Sequence, residues 1–269
     1  MKTPRGEIVQ ARRNNSAITS PILVTGGTGT LGRQVVPRLR ESGRDVRVLS
    51  RHGHESGDGV EYVTGDLLKG EGIEPAVAGV ETILHLAGGP KGDDEATRNL
   101  MRAASRAGAR HVVYISVIGA DRVPLGWLKS KLAAERAVSD SGVPWTTLRA
   151  AQFHDLLLTV VQKMSKLPVI PVPGGLRFQP VDSGEVAARL AELTLGEPAG
   201  LVPDLAGPKV YEMRDLIRGY LKARGKHRLM VPVPLPGKAG RAYRAGENLS
   251  LDAVVGQRSW EDFLAERVG

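Results

Sequence analysis

Apolar runs and amphipathic segments alternate from residue 22 to about 150, the alternation that a parallel sheet with crossover helices requires. Strands are predicted at 22–24, 45–49, 60–63, 80–86, 111–116 and 145–148, and helices at about 29–42, 93–107 and 126–141. Gly43, Gly108 and Gly142 stop those helices, as glycine commonly does just past a helix end. Beyond 150 the alternation weakens. The Pro-rich pieces LPVIPVPGG and MVPVPLPGKAG read as loops or edge strands and interrupt helical segments near 182–195, 212–224 and 258–267.

The first strand–helix junction carries TGGTGTLG, residues 25–32. A Gly-rich turn between a strand and a helix lets backbone N–H groups and the helix N-terminus face a pyrophosphate. Gly26, Gly29 and Gly32 supply the spacing, with Thr28, Thr30 and Leu31 between them. The surrounding strand, helix and second strand are the context that makes this a dinucleotide motif rather than a tight turn. The chain therefore reads as α/β, a Rossmann-type doubly wound parallel sheet over 21–150. A smaller, irregular substrate lobe is expected over 151–269, and a disordered basic arm over 1–20.

Near twenty residues past such a loop, a carboxylate would take the ribose 2′-hydroxyl of NAD(H), whereas a basic group would accommodate the 2′-phosphate of NADP(H). Here the second strand ends in Ser50 and Arg51 with no acid, and guanidinium matches phosphate in charge and geometry. This favours NADP(H) over NAD(H). The following His52 and His54 are too isolated for a metal site, and none is expected.

Composition changes the picture little. The chain has no cysteine, which removes thiolate chemistry and fits a reducing cytoplasm. No run approaches about 18 apolar residues, and the N-terminal segment has no signal-like apolar core, so neither membrane nor export is expected. Of the formal charge of +8, Lys2, Arg5, Arg12 and Arg13 less Glu7 place +3 on the arm and leave +5 spread along the chain. That distribution argues for a solvated surface and against nucleic acid. A small molecule is the expected partner, and a homo-oligomer is left open.

TGGTGTLG, GDL at 65–67, HLAGG at 85–89 and YISVIGAD at 114–121 together resemble the short-chain dehydrogenase/reductase superfamily. SVIGAD, PWTTLRAAQFHD at 144–155 and FQPVDSGEVA make the chain most similar to the atypical NmrA-like branch. The resemblance covers about residues 21–190. It implies that Asp66 and Leu67 lie against adenine, that Ala87 and Gly88 pass beside the cofactor, and that Ser116 ends the fifth strand near the nicotinamide. Reductases of the superfamily carry a Tyr four residues before a Lys, a spacing that puts both on one helical face, where the ammonium can bind the cofactor ribose and lower the phenol pKa for proton transfer. In this chain the stretch is WLKSK: Lys131 is present, but Trp127 holds the tyrosine position.

Two readings follow. In one, the chain is an oxidoreductase of a small carbonyl, quinone or enone, with Lys131, Ser116 or a water as proton source. In the other it is a non-catalytic NADP(H)-binding sensor or regulator. Trp127, Phe153, His154 and Phe178 are candidate substrate contacts, with Gln179 and Pro180 near Phe178. His85 reads as a hydrogen-bonded core residue, Asp155 as a helix cap, and Lys131 has Glu135 available as an ion-pair partner at i+4.

Overall fold

The structure, a computed structural model, describes residues 20–89 and 91–268; residues 1–19 of the expected arm lie outside it. The six predicted strands form as β1 (Ile22–Thr25), β2 (Val46–Ser50), β3 (Val60–Thr64), β4 (Thr82–His85), β5 (His111–Val117) and β6 (Trp145–Ala150). They pair in parallel in the order β3-β2-β1-β4-β5-β6. The order reverses between β1 and β4, so the chain leaves those neighbouring strands in opposite directions and opens a crevice beyond their carboxyl ends.

Helices cover both faces. On one, α1 (Gly32–Glu41) packs with Val24, Val113 and Leu148 of the sheet through Val35 and Leu39. On the other lie a short α2 (Ile73–Val77), which the sequence pattern did not predict, α3 (Asp93–Arg106) and α4 (Gly126–Ser139). They enclose Leu23, Ile83, Val112 and Tyr114. The buried stripe of α4 runs through Leu128, Lys131, Ala134 and Val138, so helical periodicity aims Lys131 inward among apolar residues.

Past residue 150 the chain forms α5 (His154–Met164), β7 (Val169–Pro173), β8 (Arg177–Phe178) and α6 (Ser183–Leu195). There follow β9 (Gly200–Leu201), β10 (Leu205–Ala206), β11 (Tyr211–Glu212) and α7 (Met213–Ala223). The chain ends in β12 (Leu229–Val233), α8 (Gly237–Ala245), β13 (Val254–Val255) and α9 (Trp260–Arg267). The two Pro-rich pieces pair with each other in parallel as β7 and β12, away from the main sheet. A separate apolar cluster does gather there, from α5, α7, α9 and these short strands. Residue 150 is nevertheless no boundary of the sheet. β9 and β10 pair with β6, β13 pairs with β10, and α6 packs beside α1 in the first cluster. Among the described residues no helix is long and apolar enough to cross a membrane.

Arg149 on β6 ties the sheet to α4. It donates to both carboxylate oxygens of Glu135, at 2.9 and 2.7 Å, and to Asp121 at 2.9 Å. The Arg149 and Glu135 side chains are nearly buried, and these carboxylates push the Arg149 pKa further up. Breaking such a pair strands a buried charge, whereas replacing both partners with apolar groups often does not destabilise. Arg149→Met is therefore expected to cost about 3 kcal/mol in urea unfolding, with Arg149→Met/Glu135→Met recovering most of that loss.

Candidate functional site

The turn after β1 explains its own glycines. Gly26 has φ +71°, and a Cβ there would lie 2.7 Å from the Ala87 nitrogen; a Cβ on Gly32 would lie 2.4 Å from the Gly26 carbonyl oxygen. The loop thus lies directly on the strand end at residue 87, and the N-terminus of α1, with no acid in its first turn, faces the crevice. Open backbone and helix dipole are what a pyrophosphate needs.

Two cavities adjoin along the carboxyl edge of the sheet. The first, about 460 Å³, is bounded by Gly26, Thr28 and Gly29 of the loop, Ser50, Arg51 and His52 after β2, Asp66 and Leu67 after β3, and Ala87 and Gly88 after β4. The second, about 990 Å³, is lined by Leu31, Ile115, Ser116, Trp127, Lys131, Gln152, Phe153 and Leu156. Leu86, Gly88, Gly89, Lys91 and Gly92 border both, so these residues form the threshold between them. Thr30 and Gly32 line neither cavity: the Thr30 carbonyl accepts from Gln34 at 3.2 Å, and Gly32 is buried as a spacer.

At that threshold Lys131 is buried, and its Nζ lies 2.9 Å from Asp93 Oδ2. Asp93 Oδ1 accepts from the Gly89 N–H at 2.6 Å. A Cβ on Gly88 would come within 2.9 Å of the Lys131 ammonium, so the lysine lies directly against this turn of backbone. Lys131 does not pair with Glu135 as its spacing allowed, because Arg149 takes that carboxylate. Asp66 accepts from the Leu68 N–H at 2.9 Å in the turn after β3, while also bordering the smaller cavity.

A tyrosine does approach Lys131, from β5 rather than from the helix. Lys131 Nζ donates to the Tyr114 hydroxyl at 3.4 Å. Tyr114 is fully buried and lines neither cavity. Burial, with the Asp93 charge behind it, pushes its pKa well above the ordinary phenol value. It is packing for Lys131, not an acid facing a ligand.

His85 also serves the frame. Thr97 Oγ1 donates to the Asp93 carbonyl at 2.6 Å, so it accepts from His85 Nε2 at 3.0 Å. His85 Nδ1 then accepts from Thr25 Oγ1 at 2.6 Å, and Thr25 Oγ1 accepts from the Ala87 N–H at 3.2 Å. Every proton is assigned only if His85 is neutral. Burial, aided by the Lys131 charge, holds its pKa down to about 3. The chain of bonds ties β1, the threshold and α3 together.

Two expected substrate contacts are not at the site. His154 begins α5 but turns into the C-terminal core, where its ring stacks on Phe263 at 5.0 Å and tilts against Trp260 at 5.9 Å. Phe178 packs beside Tyr243 at 5.9 Å in that region, and the Gln179 amide donates to the Gly207 carbonyl at 3.1 Å. Neither His154 nor Phe178 lines either cavity, because α5 turns His154 inward and β8 pairs with β11 rather than with the sheet edge. Asp155 does not cap α5; it accepts from Ser183 at 2.9 Å. Trp127 and Phe153 do line the larger cavity. Gln152 and Asp93 were not singled out from the sequence, although Gln152 falls within PWTTLRAAQFHD.

A family model described as NAD(P)H-binding matches residues 26–167, which contain this loop, the threshold and Lys131. The chain belongs to that NAD(P)H-binding family. The match agrees with the resemblance to atypical short-chain dehydrogenases/reductases of the NmrA-like kind. A (4-alkanoyl-5-oxo-2,5-dihydrofuran-3-yl)methyl phosphate reductase of Streptomyces griseus is 31% identical over 201 residues, covering 72% of this chain and 70% of that protein. The photosystem II assembly factor Ycf39 of Trieres chinensis is 26% identical over 232 residues, covering 80% and 72%. In fold, the chain superposes on the Escherichia coli NADPH-dependent quinone oxidoreductase QOR2 complexed with NADPH with a TM-score of 0.79. Identity there is 19%, covering 92% of this chain and 100% of that one. The cofactor of the NAD(P)H-binding fold is thus a nicotinamide dinucleotide.

His154 gives this placement a thermodynamic test. Burial holds its pKa down to about 4 against 6.5 unfolded, so below pH 6.5 the unfolded chain binds a proton that the folded one refuses. Its share of stability is complete above 6.5 and is lost as pH falls toward 4. That share is about 3 kcal/mol at about 1.4 kcal/mol per unit. His154→Phe is expected to flatten the stability–pH profile in that window while leaving NADPH affinity unchanged, read by urea unfolding and calorimetry.

Proposed function

We propose that the chain is an NADP(H)-dependent oxidoreductase that reduces a small quinone or enone, or a carbonyl similarly activated by conjugation. The observation that carries this reading is the meeting of the two cavities at Gly88, against which Lys131 of the larger, mainly apolar cavity lies. In this reading the loop at Gly26, Thr28 and Gly29 takes the pyrophosphate on backbone N–H groups, while Asp66 and Leu67 flank the adenine. Ser50 and Arg51 accept the 2′-phosphate, and Ala87 and Gly88 let the dinucleotide pass close to the strand end. Bound there, the dihydronicotinamide supplies a hydride.

The protein's own part is to hold the acceptor and answer the charge that develops on it. Lys131 offers a cation at the threshold, fixed by Asp93 at 2.9 Å with the buried Tyr114 hydroxyl behind it. Ser116 offers a hydroxyl on the β5 side of the cavity. Trp127 and Phe153 supply flat apolar surface, suited to a ring. Indole at position 127 donates no proton of useful acidity, so a conjugated acceptor that spreads its charge suits the site better than a simple ketone. The similarity to a reductase of a 5-oxo-2,5-dihydrofuran supports the same class. The similarity to an assembly factor, together with Trp127 at the tyrosine position, favours the second reading, an NADP(H)-binding regulator without turnover.

NADPH mixed with a panel of quinones, enones and aliphatic aldehydes should lose its dihydronicotinamide absorbance with the first two classes and little with the third. Lys131→Met/Asp93→Asn, which leaves no charge stranded at the threshold, should slow that loss at least tenfold. No consumption with any acceptor would sink the reductase reading. Arg51→Ala is expected to weaken NADPH about tenfold, the worth of one charge-assisted contact, and to leave NADH unchanged.

A further inference from the structure

Ser116 and Gln152 differ from the other polar groups of the larger cavity. Ser116 is 1% and Gln152 8% exposed, and both line that cavity. The Ser116 hydroxyl and both ends of the Gln152 amide have no hydrogen-bond partner in the protein. Their neighbours there include Leu86, Ile115, Val117 and Ala151, which offer no side-chain partner.

The backbone at Gln152 is anchored on both sides. Its carbonyl accepts from the Val181 N–H at 3.1 Å, and the preceding Ala151 N–H donates to Leu205 at 2.9 Å, so both flanking peptides are fixed to neighbouring segments. A buried amide without partners destabilises a fold. Polar groups kept in that condition in a roomy cavity are the usual mark of a ligand-orienting residue.

A primary amide presents an acceptor and a donor on one planar edge. The complement is a planar group with a carbonyl beside an N–H or O–H: a carboxamide, a lactam or a hydroxy-enone. We propose that Gln152, assisted by the Ser116 hydroxyl, is the polar recognition element of the larger cavity and takes such an edge. The inference rests on reading that cavity as the ligand site, and it does not require hydride transfer to follow. Two ligands could present this chemistry, the substrate or the carboxamide of the nicotinamide itself.

Calorimetry on the full chain separates them. Wild type and Gln152→Leu are titrated with 2-quinolone and N-methyl-2-quinolone, with and without saturating NADP+, and with NADP+ and 2′-phospho-ADP-ribose. Neither quinolone needs to be turned over, so failure here is distinct from failure of the NADPH-consumption assay. A substrate edge predicts that Gln152→Leu weakens 2-quinolone at least tenfold and weakens the N-methyl compound, which keeps the carbonyl but lacks the donor, several-fold less. A nicotinamide edge predicts the same loss for NADP+ with none for 2′-phospho-ADP-ribose. Because Leu removes two unpaired polar atoms, the ligand-free variant should also melt about 2 to 4 °C higher, which excludes misfolding as the cause of lost binding. If the variant binds all four ligands as the wild type does, or loses affinity equally for both members of each pair, the proposal is overturned.

Discussion

The ion pair between Lys131 and Asp93 holds the centre of this molecule's cleft. It spans 2.9 Å between nearly buried side chains, one from the apolar stripe of α4 and one from the first turn of α3. Removing either partner would leave the other charge in a poorly solvated place, a strongly destabilising change. The second oxygen of Asp93 holds the Gly89 N–H. The Asp93 carbonyl ends the neutral chain of hydrogen bonds through Thr97, His85 and Thr25 to Ala87. One residue at the start of α3 therefore fixes the lysine, the threshold and the strand end on which the Gly-rich loop lies.

This arrangement separates gripping a dinucleotide from using it. The loop at 25–32 is shaped by backbone alone, through the left-handed turn at Gly26 and the missing Cβ of Gly32. The proton chemistry usual in the superfamily depends on a tyrosine one helical turn from the lysine, and Trp127 stands there. Tyr114 reaches the same lysine from the sheet but is sealed from both cavities. What remains at the threshold is a fixed cation beside an apolar chamber, which supports the proposed preference for acceptors that delocalise charge.

Much of this was legible in the sequence, for local reasons. The six parallel strands and the loop are written in short-range periodicity and glycine spacing, and Lys131 falls on the buried side of its helix by periodicity alone. Other features depend on contacts between distant segments. Lys131 had Glu135 at the right helical spacing, yet Arg149, from the next strand, takes that carboxylate. His154 follows β6, whose end borders the cleft, and Phe178 lies on β8, but the direction in which each element turns sends them into a second core. Asp93 reads as one of three acids opening a helix, and only its place opposite Lys131 sets it apart. The return of β10 and β13 to the main sheet rests on pairings as short as Leu205 with Ala150, too brief to leave a periodic signal.

The central claim, that this cleft holds NADP(H) with its 2′-phosphate at Ser50 and Arg51, is tested most directly by the melting temperature of the full chain with each of the four nicotinamide dinucleotides at equal concentration. Ligands that bind only the native state raise it by an amount that grows with the logarithm of their affinity. NADPH and NADP+ should raise it by several degrees, and NADH and NAD+ by much less. Equal shifts from all four would remove the role given to Arg51, and no shift from any would contradict the account.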